Sequence, residues 1–155
     1  MTNVGAQSSI LKASAELKSI LQATGEKERY SVDQVLFRED QDNAGIFLVL
    51  KGRIRMSVRS LPKLDRLFAT GSVLGLPSTF TGHPYSLTAI ALSETEVVHV
   101  SPQAFVELMR ERPELCREAT EMLGREVTFI QAALAERRKQ TTWKKHSEAD
   151  MVRAC

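Results

Sequence analysis

Two cysteines, Cys116 and Cys155, and three scattered histidines, His83, His99 and His146, are all the soft metal ligands this chain contains. Zinc sites need such ligands in closely spaced pairs, and an iron–sulfur cluster ordinarily takes four cysteines, so no metal, haem or cluster cofactor is expected. One cysteine falls in a predicted helix and the other is the last residue; they read as two free thiols. A metal-dependent β-barrel enzyme would cluster histidines on its strands, yet only His99 falls in one. Flanked by Val98 and Val100, it reads as a surface or capping residue, and no catalytic residues are expected. No apolar run approaches the roughly 20 residues that span a bilayer. The opening stretch from Met1 to Ser9 is polar, without a basic start or apolar signal core, so the expectation is a cytoplasmic protein with no membrane partner. Charge of one sign is also scarce. Twenty-one basic residues stand against 19 acidic ones, and a net charge of +2 is too small for a general nucleic-acid binder.

What is present is apolar material, 43% of 155 residues, enough for one core. Residues 8 to 22 predict an amphipathic helix with Ile10, Leu11, Leu17, Ile20 and Leu21 near one face and Gly25 at its stop. From Tyr30 to Val100 short β-branched and apolar runs alternate with turn residues. Strands are expected at Val35–Phe37, Ile46–Leu50, Ile54–Val58, Arg66–Ala69, Leu87–Leu92 and Val97–Val100, with turns at 40–45, Lys51-Gly52, Leu61-Pro62-Lys63, Thr70-Gly71 and Gly82-His83-Pro84. Many short strands at this spacing point to an all-β sandwich or barrel. Ser101-Pro102 then opens a helix with a hydroxyl cap and a first-turn proline, and Phe105, Leu108 and Met109 form its apolar face. The pattern divides the chain into an N-terminal helix and leader (1–24), a β domain (25–112), a long helix (113–140) and a flexible tail (141–155).

The long helix begins near Pro113. Cys116, Thr120, Leu123, Val127, Ile130 and Leu134 recur at steps of 4, 3, 4, 3 and 4, a heptad seam. Arg125, Glu126, Glu136, Arg137 and Arg138 surround that stripe with charge. Met122 and Phe129 lie off it and form a second apolar face. The stripe either packs on the chain's own β-domain or pairs with the same helix of a second copy; two apolar faces on one helix favour two partners, and a homodimer is the expectation.

The segment from Gly71 to Ala91 sets two glycines four apart before a short apolar turn, then a Gly-x-Pro turn, then a strand expected to begin at Tyr85-Ser86. Glycine-rich backbone beside a helix start can present N–H groups to an anion, although the signal is weak by itself. Taken in order, the pieces are more specific: Val35-Leu36-Phe37-Arg38-Glu39, Phe47-Leu48-Val49-Leu50, Leu48-x-x-x-Gly52-x-Ile54-x-Met56, Gly71-x-x-x-Gly75, Gly82-x-Pro84, Leu87-Thr88-Ala89, and Phe105 to Arg112 followed by Pro113-Glu114-Leu115. Over residues 25 to 138 this resembles the cyclic nucleotide-binding domain, most closely the sensor half of Crp/Fnr-type bacterial regulators. The resemblance implies a mainly β fold with flanking helices, a jelly-roll-like β-roll (double-stranded β-helix), and a long C-terminal helix that closes over the ligand and pairs two subunits. The implied pocket comprises Leu74, Gly75, Leu76, Pro77, Ser78, Tyr85, Ser86, Leu87 and Thr88, with Ile130 and Gln131 facing the ligand base.

Cyclic-nucleotide binders of that family carry Gly-Glu at the start of the loop for the ribose and Arg-Ser or Arg-Ala at its end for the phosphate. The matching positions here are Gly75-Leu76 and Tyr85-Ser86. The spacing survives and both charges are gone. A buried phosphate without its cation loses about 2–5 kcal/mol, or roughly 30-fold to several thousand-fold in affinity. Three readings stay open: ordinary cyclic-nucleotide sensing, a different small ligand of anionic or nucleotide-like kind, and a pocket filled as core. Asp40 replaces the glycine the family usually has in the turn after Glu39, and aspartate tolerates the left-handed conformation better than most residues. Crp/Fnr regulators follow the long helix with a helix-turn-helix of roughly 60 residues. Residues 141–155 cannot supply one, so sequence-specific DNA binding is not expected. The expected function is a regulatory ligand sensor with an unidentified protein partner for its output; the alternative is a ligand-free dimer scaffold.

Overall fold

The computed structural model describes the backbone of residues 12–154 and the side chains of residues 12–135, residue 63 excepted. Ile10, Leu11 and Cys155, and the side chains of Glu136, Arg137 and Arg138, lie outside the described residues. Helix α1 (Ala15–Thr24) leads into strands β1 (Glu26–Tyr30), β2 (Val35–Phe37), β3 (Ile46–Lys51) and β4 (Ile54–Ser57). A 3-10 turn (Pro62–Leu64), β5 (Arg66–Phe68), β6 (Val73–Leu74) and the short helix α2 (Leu76–Thr81) follow. Strands β7 (Thr88–Ala91) and β8 (Thr95–Val100) then precede helices α3 (Pro102–Glu111) and α4 (Pro113–Ala154).

The strands pair antiparallel in two four-stranded sheets, ordered β1-β8-β3-β6 and β2-β7-β4-β5. One apolar cluster joins both sheets to α1, α3 and the first half of α4. Strand β3 is a continuous apolar run with Ile46, Phe47, Leu48 and Val49 all buried. All six expected strands form. Two others escaped sequence pattern. The edge strand β1 reads Glu-Lys-Glu-Arg-Tyr and is mostly exposed, held by its ladder with β8 from Glu26↔His99 to Tyr30↔Thr95. An edge strand needs backbone partners and no apolar alternation. Strand β6 is two residues long, too short for any period. The strand expected from Tyr85 begins only at Thr88, leaving Tyr85 and Ser86 in the approach to it.

Local chemistry sets the helix ends. Ser14 Oγ accepts from the Leu17 N–H at 3.1 Å and caps α1. It also donates to Glu118 of α4 at 2.6 Å, tying the two helices together. The Gly25 N–H bonds Leu21 and closes α1 where expected. Ser101 Oγ accepts from the Ala104 N–H and Pro102 fills the first turn of α3, whose buried residues are Phe105, Leu108 and Met109 as expected. Helix α4 runs past its expected end near Gln140 to Ala154, so the backbone of the expected flexible tail is helical. Neither proline nor glycine occurs after Gly124 to stop it.

Asp40 takes φ 67°, the left-handed conformation expected at that turn. The Asp40 N–H donates to the Tyr85 carbonyl at 2.7 Å and the Tyr85 N–H to the Gln41 carbonyl at 3.0 Å, so this turn positions Tyr85. Asp40→Val should lose about 1–2 kcal/mol because a β-branched residue resists positive φ. Asp40→Gly should stay within about 1 kcal/mol of the parent, its relaxed φ offset by unfolded-state entropy. Urea unfolding checks both values.

Candidate ligand-binding site

Gly75 has φ 90°, and a Cβ there would sit 2.8 Å from the Gly45 carbonyl oxygen. Only glycine lets the chain pass so close to the 44–45 turn and bend into α2. Inside the loop the polar groups satisfy one another. Asn43 Nδ2 donates to Ser78 Oγ at 2.6 Å, Ser78 Oγ donates to the His83 carbonyl, and Thr79 Oγ1 donates to the Gly75 carbonyl at 2.8 Å.

Tyr85 is buried at 2% exposure. Its ring stacks on Phe37 at 4.0 Å between centroids, Phe37 lies 5.6 Å from Phe47, and Phe47 stacks on His99 at 4.6 Å. The Tyr85 hydroxyl donates to the Gly45 carbonyl at 2.7 Å and accepts from the Ala44 N–H at 3.0 Å. Its one proton is therefore committed to the fold and not free for a ligand. His99 stays half-buried and reaches the Ala44 carbonyl with one ring nitrogen and Glu28 with the other, at 3.2 Å, a capping role as expected.

Between this loop and α4 lies a cavity of about 20 Å³, lined by Phe37, Met56, Val73, Gly75, Leu76, Pro77, Ser78, Tyr85, Ser86, Leu87 and Glu126. That is room for about one water molecule. Seven of the candidate residues, from Gly75 to Ser78 and from Tyr85 to Leu87, thus meet around one space. Four others do not line it. Leu74 is buried in the β3–β6 ladder opposite Phe47, and Thr88 Oγ1 accepts from the Glu39 N–H at 2.9 Å. Ile130 is half-buried and Gln131 exposed, farther along α4 than the residue that does face the cavity, Glu126.

Glu126 corrects the reading of it as a solvated flank of the seam. It is 1% exposed and faces Arg66 of β5, itself 1% exposed. Arg66 Nη1 donates to Glu126 Oε2 at 2.8 Å and Nη2 donates to Oε1, a bidentate pair. The guanidinium carbon lies 4.1 Å from the Phe129 ring centroid and 5.0 Å from that of Phe68, so aromatic faces sandwich the cation. Arg66 Nε has no hydrogen-bond partner. Strand alternation could have signalled Arg66, which shares the inward face of β5 with Phe68. Helix spacing could have signalled Glu126: Leu115, Ala119, Met122 and Glu126 step by 4, 3 and 4 and all are buried.

The structure is thus a β-roll carrying a glycine-framed loop under a long helix. Residues 27–112 match the model of the cyclic nucleotide-binding domain, and the chain belongs to that family. No curated protein matches it in sequence. It is similar in structure to the catabolite activator protein of Thermus thermophilus, at 18% identity and a TM-score of 0.55, over 88% of this chain and 60% of that one. It is similar also to a transcriptional regulator of Thermotoga maritima (14% identity, TM-score 0.66, 76% of this chain and 94% of that one). A third is oxidised CprK in complex with o-chlorophenolacetic acid (12% identity, TM-score 0.64, 83% of this chain and 55% of that one). At these identities the likeness is one of fold.

Two predictions follow from the site's geometry. Glu126→Ala strands a buried guanidinium and should cost about 3–5 kcal/mol, whereas the paired change Arg66→Met with Glu126→Met should recover most of that loss; denaturant midpoints measure both. Burial, opposed by the backbone hydrogen bonds at Ala44 and Gly45, raises the pKa of Tyr85, while burial followed by the hydrogen bond to Glu28 raises that of Tyr30. The unfolded chain then gives up these protons first, near the ordinary value of about 10. Stability is full below that pH and declines as pH climbs toward the raised folded values. Absorbance at 295 nm should show both tyrosines ionising late, and a normal titration near pH 10 in the folded protein would contradict this.

Proposed function

We propose that this chain is a dimeric regulatory domain that answers a small molecule other than a typical cyclic nucleotide and signals through α4. The observation that carries the reading is the state of the two anchor positions. Where the family resemblance places a ribose-binding glutamate and a phosphate-binding arginine stand Leu76 and Tyr85, each 2% exposed. Tyr85 spends its hydroxyl on the 44–45 turn, and about 20 Å³ remains between them and α4. CprK, on a similar fold, is seen with an aromatic carboxylic acid, so a β-roll of this kind is compatible with a ligand that is no nucleotide.

The division of α4 supports signalling through a helix pair. Leu115, Ala119, Met122 and Glu126 are spent on the roll. Cys116, Leu123, Ile130 and Leu134 are half-buried, and Thr120 and Val127 are exposed, Val127 by 39%. That stripe suits the same stripe of a second copy. The small cavity favours a second reading, a dimer scaffold without ligand. A family of regulatory binding domains makes catalysis an unneeded assumption for either reading.

Thermal unfolding with cyclic AMP and cyclic GMP tests the ligand half. A ligand at 100 times its Kd stabilises by about 2.7 kcal/mol, several degrees in Tm; no such rise should appear at millimolar nucleotide. A rise at micromolar nucleotide would contradict the reading. Light scattering should give twice the chain mass, falling to one chain for Val127→Glu with Ile130→Glu, and a monomeric parent would remove the dimer half.

A further inference from the structure

We propose that Arg66 anchors a site for a small carboxylate with an apolar body, and that such a ligand binds by taking the place of the Glu126 side chain. The proposal rests on the reading above, that the pocket serves something other than a cyclic nucleotide, and it names the class.

Among the described residues Arg66 is the one buried basic side chain, and its guanidinium fork already holds a carboxylate edge to edge. That fork matches a planar carboxylate better than a point charge would. The occupant is the protein's own Glu126, whose side chain is also a wall of the cavity. Phe37, Met56, Val73, Leu76 and Leu87 are walls of that cavity together with Ser78 and Ser86, so the space is largely apolar, and Arg66 lies behind Glu126 without itself lining it. Arg66 Nε is still without an acceptor, so Glu126 does not exhaust the donors of the guanidinium. A buried pair of this kind is poor evidence for stability, because desolvation offsets most of its attraction. It is a good two-state contact, since each charge must keep some partner.

Entry and signal are then one event. The two Nη donors of Arg66 are filled by Glu126, so an incoming carboxylate takes the bidentate position only when Glu126 leaves it. Glu126 belongs to α4, and the incoming carboxylate releases that helix from β5. The ligand favours the released state because only there can it take both Nη donors of Arg66, which Glu126 otherwise holds, and this supplies the differential affinity a shift requires.

The test is calorimetric titration and thermal unfolding of the full chain with sodium acetate and sodium phenylacetate, against sodium chloride at equal ionic strength. Phenylacetamide serves as the neutral control. Glu126→Ala removes the internal competitor and should bind phenylacetate at least about tenfold tighter than the parent, with acetate also raising its Tm in a saturable way. Glu126→Gln, which keeps the shape and loses the charge, should fall between the two. The Arg66→Met, Glu126→Met pair and the amide control should show nothing. Equal responses in all variants, or a response surviving in the Arg66→Met pair, would overturn the proposal. Should Glu126→Ala not fold, Glu126→Gln decides: no gain over the parent overturns it. Micromolar binding of cyclic AMP in a parallel titration would instead bring down the functional reading beneath it.

Discussion

The setting of the long helix on the β-roll depends on the ion pair between Arg66 and Glu126. Both side chains are withdrawn from water, and each is tolerable there because the other is present. The pair fixes the rotation of α4 about its axis. With Glu126 turned inward, Met122, Ala119 and Leu115 must follow, one helical turn after another. The stripe from Cys116 to Leu134 is then the face left over. A single charged contact thus decides which side of the helix packs on the roll and which side is offered elsewhere.

Leu76 and Tyr85 leave a well-packed site and not a hole. Leu76 is an apolar wall where the family resemblance places a carboxylate. Tyr85 joins an aromatic column through Phe37 and Phe47 to His99, and its hydroxyl clamps the 44–45 turn that Gly75 also approaches closely. The cation of the region sits on β5, one strand beyond the loop where sequence comparison would look for it, and its anion comes from the helix.

Much of the roll was legible in the sequence because turn residues and β-branched runs alternate plainly from Val35 to Val100. The cap at Ser101, the stop at Gly25 and the left-handed Asp40 were legible because each has a local stereochemical cause. Strand β1 was not, since an edge strand is held by backbone bonds to β8 that no side-chain period reports. The loop side of the site came from the family resemblance, and Gly75 to Ser78 with Tyr85 to Leu87 do meet around one cavity. The helix residues it implied, Ile130 and Gln131, do not line that cavity, whereas Glu126 does. Two heptad faces interleave on α4, and a glutamate beside Arg125 looks like solvated surface until its partner on another strand is known. Each element's period places its charged residue on a buried face, but the pairing of the two, 60 residues apart in sequence, is written in neither period.

The most direct test is a crystal structure of the chain grown with saturating cyclic AMP. The account predicts Glu126 seated on Arg66 beneath an intact aromatic column, with no purine, ribose or phosphate density between Tyr85 and α4. A nucleotide in that space, with Glu126 turned away and Tyr85 displaced from the Ala44–Gly45 turn, would contradict it.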